Sequence, residues 1–295
     1  MKRLLFVINP CSGKGKIRNR LLDILDIFVK KGYRVETYVT QRPLDAKEKV
    51  ISRGKSADLI VCSGGDGTLN EVVSGVMELK RMPVLGYIPA GSTNDYAASL
   101  GLPRQMMKAA QAAVGREIRS VDVGKFGSDR YFVYVAAFGA FTEVSYLTPQ
   151  DKKNVLGHQA YILEAVKSLT DIRGRKMKVS WEEGELEGEF LFGMITNTIS
   201  VGGFKGLVSR DVALDDGYFE AMFIRMPKNP LDLSGIVSYL FLKEEENELV
   251  YRFKTKRIKV VSEEDTDWVL DGEFGGTKRE VEIVNLEKQI HIARG

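Results

Sequence analysis

The sequence is poor in cysteine and histidine and has no long apolar run. Its 295 residues contain two cysteines, Cys11 and Cys62, and two histidines, His158 and His291. The cysteines stand far apart, each at the end of a predicted strand. That points to buried thiols rather than a disulfide or a thiolate metal site. The histidines fit no triad or metal spacing, and both read as structural. No stretch approaches the ~18 apolar residues that a membrane span needs. Leu4 to Ile8 is too short for the apolar core of a secretory signal. An excess of one charge is also missing: 43 Lys and Arg against 40 Asp and Glu leave +3. There is no RNP pattern, zinc-finger spacing or basic helix, so nucleic acid is not an expected partner. Internal repeats and low-complexity linkers are absent. What remains, 44% apolar and 28% charged, is the composition of a globular, cytoplasmic protein. Its length suggests about two domains.

The apolar patterning changes along the chain. Leu4 to Ile8, Tyr33 to Thr40, Leu59 to Cys62 and Val84 to Ile88 read as strands. Helical periodicity separates them, with Ile17, Leu21, Leu22, Leu25 and Phe28 forming one face of the first helix. This alternation predicts an α/β N-terminal domain: a parallel sheet with helices on both faces. From about Ser120 onward, strands separated by turns predominate, including Tyr131 to Phe138, Arg257 to Ser262, Trp268 to Leu270 and Val281 to Val284. This predicts a C-terminal antiparallel β-sandwich domain. Two helices, His158 to Leu169 and Pro230 to Lys243, interrupt it.

Three loops follow strands of the first half and share the carboxyl edge of the predicted sheet, where ligands collect. The central one is Gly64-Gly65-Asp66-Gly67-Thr68-Leu69-Asn70-Glu71. Glycines free the backbone amides to approach anions, and the helix that follows adds positive potential at its start. Asp66 would repel phosphate unless a cation stands between them. The same glycines would also suit a plain turn. The second loop is Pro89-Ala90-Gly91-Ser92-Thr93-Asn94-Asp95. The third, Asn9-Pro10-Cys11-Ser12-Gly13-Lys14-Gly15-Lys16, looks like a phosphate loop but lacks Walker A spacing. Near the other end, Asp271-Gly272-Glu273 ends a predicted strand. Residues two apart in an extended segment face one side, so both carboxylates would project together and raise each other's proton affinity, as suits a general base. Asp211, Asp215 and Asp216 crowd one loop, as oxygen ligands of a hard cation do, though an Asp-Asp-Gly turn explains them too. Five cations between Tyr251 and Lys259 read as the solvated face of a strand, with docking on anionic headgroups as the lesser option.

Taken together, Gly64-Gly65-Asp66-Gly67-Thr68, Gly91-Ser92-Thr93-Asn94-Asp95, Leu214-Asp215-Asp216-Gly217 and Asp271-Gly272-Glu273 resemble the diacylglycerol kinase catalytic-domain superfamily. That superfamily includes sphingosine kinases and the bacterial soluble lipid kinases. The four motifs occur in the family order over nearly the whole chain. Ser92 stands where the family more often has threonine, and keeps the hydroxyl.

The resemblance implies a Rossmann-like nucleotide-binding domain over residues 1–122, to which residues 286–295 return, and a lipid-substrate domain over 123–285. It implies an ATP- and Mg2+-dependent lipid kinase that phosphorylates a hydroxyl of a lipid such as diacylglycerol. Asn9, Pro10, Ser12, Gly13, Lys14, Thr40, Gly64, Gly65, Asp66, Gly67, Thr68, Leu69, Asn70, Ser92, Thr93 and Asn94 would hold the nucleotide. Asp66 would carry magnesium, and Asp271 or Glu273 would be the base. Asp216 with the carbonyls of Ala213 and Tyr218 would bind a structural magnesium. The partner would be a lipid at the membrane surface, met from the cytoplasm. Oligomeric state, including a homodimer, stays open. The competing readings are an NAD kinase-like enzyme, which shares Gly-Gly-Asp-Gly-Thr, and a non-catalytic nucleotide-sensing module.

Overall fold

A computed structural model describes residues 1–140, 173–198, 212–242 and 247–295. The expected helix from His158 to Leu169 and the residue Asp211 lie outside these.

The N-terminal part alternates strand and helix. β1 (Lys2–Ile8), α1 (Leu21–Lys30), β2 (Tyr33–Val39), α2 (Asp45–Arg53), β3 (Leu59–Gly64), α3 (Asp66–Met77), β4 (Val84–Pro89), α4 (Asp95–Ser99) and α5 (Met106–Ala113) follow in order. The four strands pair in parallel in the order β2-β1-β3-β4. β1 from Leu4 onward, β3 and β4 are buried on both faces because each face is covered, whereas the edge strand β2 leaves Arg34 and Glu36 exposed. Leu4, Phe6 and Ile8 pack with Ile24 and Phe28 of α1 and Ala109, Ala110 and Ala113 of α5. Leu5 and Val7 point the other way, toward Ala46 and Val50 of α2 and Leu69, Val72, Val73 and Val76 of α3. Complete burial of a side chain such as Phe28 contributes ~1.5–3 kcal/mol.

The rest of the chain is sheet-rich. It comprises β5 (Ile118–Phe126), β6 (Arg130–Phe132), β7 (Val135–Gly139), β8 (Arg175–Trp181), β9 (Gly184–Thr196), β10 (Phe219–Arg225), α6 (Pro230–Leu242), β11 (Val250–Thr255), β12 (Arg257–Leu270) and β13 (Glu273–Ala293). Antiparallel pairing runs β11-β10-β9-β7-β12-β13. An aromatic core of Phe126, Phe132, Phe138, Phe190, Phe219, Phe223 and Trp268 fills one side of it. The long β13 reaches back to the N-terminal part, where Ile292 pairs in parallel with Leu85 of β4. Pairing is thus continuous between the two halves.

Four details differ from the sequence reading, each for a local reason. Leu22 is 81% exposed, because the first helix begins only at Leu21 and its 100° step then turns Ile24 and Phe28 inward. Ile17, placed on the same helix, lies in a preceding 3-10 segment. Cys11 is exposed, because β1 stops at Ile8 and the chain turns outward; Cys62 is buried, which pushes its thiol pKa up. The expected strand Tyr131 to Phe138 is split in two. At the break, the amides of Val133, Tyr134 and Val135 donate to the Asp271 carboxylate instead of to a neighbouring strand.

Candidate active site

The ends of β1, β3 and β4 bring three loops together. Gly13, Lys14 and Gly15 all have positive φ, at 58°, 61° and 69°, so the first loop curls left-handed, a shape glycine adopts without strain. A Cβ on Gly13 would overlap the carbonyl oxygen of Ala90. The first loop therefore lies directly on the loop after β4. Asn9 Nδ2 donates to Thr68 Oγ1 at 3.0 Å, tying the first loop to α3. Gly65 and Gly91 touch backbone to backbone: a Cβ on Gly91 would stand 2.7 Å from Gly65 Cα. Thr40, beyond the end of β2, donates through its amide to Ile8 O at 2.9 Å and its hydroxyl lies 3.3 Å from the same oxygen.

Several expected nucleotide ligands have structural work in these loops. Asn94 folds onto its own turn, accepting from Gly91 N at 2.9 Å and donating to Gly91 O at 2.7 Å. Leu69 is fully buried in the core beneath α3. Asn70 Nδ2 donates to Asp271 Oδ2 at 2.6 Å and to Tyr131 O at 2.9 Å. Ser92 and Thr93 are exposed at the edge of the cleft, and Pro10 and Ser12 are partly exposed in the first loop.

Four acidic residues meet here. Asp66 opens α3 and accepts from the amides of Asp95 at 3.0 Å and Tyr96 at 3.4 Å. Burial, reinforced by the neighbouring charge of Asp95, pushes its pKa up to about 7. Such a carboxylate favours a proton or a cation beside it. Asp271 is buried, with Oδ1 accepting from Tyr134 N and Val135 N and Oδ2 from Val133 N and Asn70 Nδ2. Burial pushes its pKa up to about 6 while these four donors pull it down.

Glu273 differs from Asp271 in kind. The turn between β12 and β13 is not extended: Asp271 and Gly272 both have positive φ, 51° and 84°, and join Leu270 to Glu273 as a tight hairpin. The two carboxylates therefore do not share one face of a strand. Asp271 turns into the protein. Glu273 stays solvent-exposed, with Oε1 3.2 Å from where a Cβ of Gly67 would stand. Partial desolvation against this loop raises its pKa above the ordinary glutamate value. An open carboxylate facing a glycine-rich helix start across a narrow gap can take a proton from a group bound between them.

Two residues that the sequence reading left without a role support the site. Asp95 is 3% exposed and faces Asp66; its position at the start of α4, after left-handed Asn94, was the available sign. Glu71 accepts from Leu44 N at 2.9 Å and Ala46 N at 3.1 Å. It thereby caps α2, whose preceding residue Leu44 has φ 66°.

The Asp215–Asp216 loop forms a second polar cluster. Asp216 Oδ1 accepts from Tyr218 N at 3.0 Å, and Oδ2 lies 3.6 Å from Lys254 Nζ. Asp215 is paired with Arg119 at 3.1 Å. Fully buried Asp122 accepts from Gly217 N at 2.7 Å and Lys288 N at 2.8 Å. Burial raises the Asp122 pKa, while these two amides and the neighbouring Asn285 side chain pull it down. Both polar atoms of that Asn285 side chain, and both oxygens of Glu220, are buried without a hydrogen-bond partner of good geometry among the described residues. Burial pushes Glu220 up to about 7 despite nearby Lys254. No group of three His, Cys, Asp or Glu side chains converges among the described residues. A cation here would rest on Asp216 and backbone carbonyls, a hard-oxygen set that fits Mg2+ or Ca2+. The orphaned polar atoms of Asn285 mark a cluster that such an ion and its waters would complete.

Residues 3–126 match the family described as the diacylglycerol kinase catalytic domain. The chain is 35% identical to a diacylglycerol kinase of Bacillus subtilis strain 168 over 299 aligned residues, which cover 99% of this chain and 96% of the relative. It is 34% identical to a diacylglycerol kinase of Staphylococcus saprophyticus over 293, covering 99% and 95%. Among solved structures, a diacylglycerol kinase from Bacillus anthracis strain Sterne superposes with TM-score 0.77 at 22% identity, covering 100% of this chain and 97% of the other. A further solved chain from the same strain superposes with TM-score 0.84 at 24% identity, covering 100% and 95%. At these identities the superpositions speak for the fold.

Proposed function

The chain belongs to the diacylglycerol kinase catalytic-domain family, and on that premise we propose that it transfers the γ-phosphate of ATP to the hydroxyl of a lipid such as diacylglycerol. It is a lipid kinase, a transferase with an alcohol group as acceptor. The observation that carries the mechanism is the placement of Glu273 across a narrow gap from Gly67. Phosphoryl transfer needs positioning and charge neutralisation more than covalent help from the protein.

In this reading the amides of Gly64, Gly65 and Gly67, at the start of α3, hold the phosphates with Lys14. Asn9, Pro10, Ser12, Gly13, Thr40, Thr68, Ser92 and Thr93 line the nucleotide. Asn70, Leu69 and Asn94 act from behind, by fixing the loops. Glu273 is the base: it takes the proton as the lipid oxygen attacks phosphorus and ADP leaves. Asp271 is the anchor, because its oxygens are already occupied by four donors. Asp66 would hold one divalent ion, and Ala213, Asp216 and Tyr218 another. A bound Mg2+ supplies neutralisation of phosphate charge at the first site and loop order at the second. The same reading groups residues 1–122 with 286–295 as a Rossmann-like nucleotide-binding domain and 123–285 as a sandwich-like lipid domain. The helices on both faces of β1–β4 and the Ile292–Leu85 pairing support it. The lipid would be met by peripheral contact at the cytoplasmic membrane surface; among the described residues no helix is long and apolar enough to cross it.

The test is incubation with Mg2+ and γ-labelled ATP against diacylglycerol vesicles and, separately, NAD. Label extracted into the organic phase is the expected result. Label on NAD, or no transfer to any acceptor, overturns the reading.

A further inference from the structure

Glu220 and Lys254 stand directly opposite one another on β10 and β11. Opposed residues on antiparallel strands project to the same face. Lys254 Nζ lies 3.3 Å from Glu220 Oε1 and 3.6 Å from Asp216 Oδ2. One ammonium thus serves two carboxylates from different elements. Asp216 sits in the loop ahead of β10, whereas Glu220 is only 8% exposed and its oxygens meet no other donor among the described residues. The neighbouring cations are committed elsewhere: Lys256 lies over the Tyr218 ring at 4.7 Å, and Arg119 pairs with Asp215.

We infer that Lys254 is a built-in competitor for the cation at Asp216, and that Glu220 is the berth to which its ammonium withdraws when the metal arrives. The inference rests on the assignment of Asp216 as a metal ligand. A lysine ammonium and a divalent ion repel one another when both lie against one carboxylate. Without a second partner, an ammonium leaving Asp216 would be held by solvent alone, since the Lys254 side chain is 44% exposed. Glu220 supplies that partner within reach, on the adjacent strand. Its own burial keeps it dependent on Lys254. Metal affinity is therefore tuned by two residues that are not ligands.

The test uses the whole protein without nucleotide and Mn2+ as a paramagnetic probe, with Asp216→Asn defining the share of Mn2+ bound at this loop. Lys254→Met is expected to tighten that share about tenfold, and Glu220→Gln to loosen it about fivefold, within the usual range of site coupling. In the Lys254→Met background, Glu220→Gln is expected to change affinity less than twofold. Additive effects would mean plain electrostatics and overturn the berth. Mn2+ binding at Asp216 that Lys254→Met leaves unchanged overturns the inference while sparing the metal assignment. Absence of Asp216-dependent Mn2+ in wild type and Lys254→Met alike overturns both. Lys254→Gln removes the same charge with a polar side chain and repeats the test if the methionine variant does not fold.

Discussion

Asn70 Nδ2 donates to Asp271 Oδ2 at 2.6 Å, joining residues 201 positions apart. Asn70 lies on α3, the helix that presents Asp66 and Gly67. Asp271 lies in the hairpin turn that presents Glu273. The bond therefore fixes the distance between the phosphate loop and the proposed base. Asp271 is buried there and Asn70 half-buried. The second hydrogen bond of Asn70, to Tyr131 O, ties in the strand break that receives Asp271.

This arrangement gives Asp271→Asn an unusual cost. Each oxygen of Asp271 accepts from two donors. An amide of the same shape must turn an NH2 group toward one of these pairs. Each abandoned buried donor costs ~1–3 kcal/mol, so the variant should lose ~2–5 kcal/mol in urea unfolding. Loss of activity should accompany loss of structure. Stability equal to wild type would show that Asp271 is not the anchor.

Glu273→Gln should behave in the opposite way. The side chain is exposed and its carboxylate accepts no hydrogen bond among the described residues, so unfolding should be unchanged within ~0.5 kcal/mol. Removing a general base costs ~10²–10⁴-fold in rate, and kcat should fall by that much. The pH profile carries a second signature. A base acts unprotonated, and the pKa of Glu273 is raised by partial burial. Wild-type kcat/KM should therefore climb with pH through a value above the ordinary glutamate range, and the residual rate of Glu273→Gln should lack that limb. A persistent acid limb in the variant would transfer the role elsewhere.

The fold was largely legible because period and spacing are local signals. Continuous apolar runs such as Leu4 to Ile8 announce strands buried on both faces, and these are the strands found at the centre of the parallel sheet. The three glycine-bearing loops were legible for the same reason: parallel strands put their carboxyl ends on one edge. The difference between Asp271 and Glu273 was not legible. It depends on a hairpin turn with two positive φ angles and on three amides at the break between β6 and β7. Nothing within Asp-Gly-Glu announces those amides. Glu71 was overlooked because its role is set by backbone groups distant in sequence, and Asp95 because it acts through Asp66, a carboxylate on another loop. Cys11 was misplaced because the chain turns outward after Ile8, and Leu22 because the left-handed Gly13-Lys14-Gly15 turn and the 3-10 segment precede a helix that starts only at Leu21.

Glu71→Ala tests the wall of the cleft beside Thr40. Glu71 accepts from Leu44 N and Ala46 N, so its loss frees the start of α2 and the loop that leads to it from Thr40. Hydrogen bonds to a charged group contribute ~1.5–3 kcal/mol. If Thr40 touches the nucleotide, steady-state kinetics should show KM for ATP rising about five- to fifty-fold with kcat within about threefold of wild type. An equal fall in kcat and unchanged KM would place the Glu71 contribution at the transferred phosphate instead.

Gly67→Ala separates stability from catalysis at a single methyl group. Gly67 is helical, without a positive φ, so alanine fits its backbone and favours the helix by up to ~1 kcal/mol. The midpoint of thermal unfolding should stay level or rise. The added Cβ would stand 3.2 Å from Glu273 Oε1, in the space through which the phosphate and the acceptor hydroxyl must meet. Either Glu273 retreats or the gap closes, and both separate the base from the reacting oxygen. A displacement of about 1 Å at a reacting centre costs on the order of 10²-fold, so turnover should fall by about that factor in a protein as stable as wild type. Full activity in Gly67→Ala would mean that the transfer takes place outside the Gly67–Glu273 gap, and the assignment of Glu273 as base would fall with it.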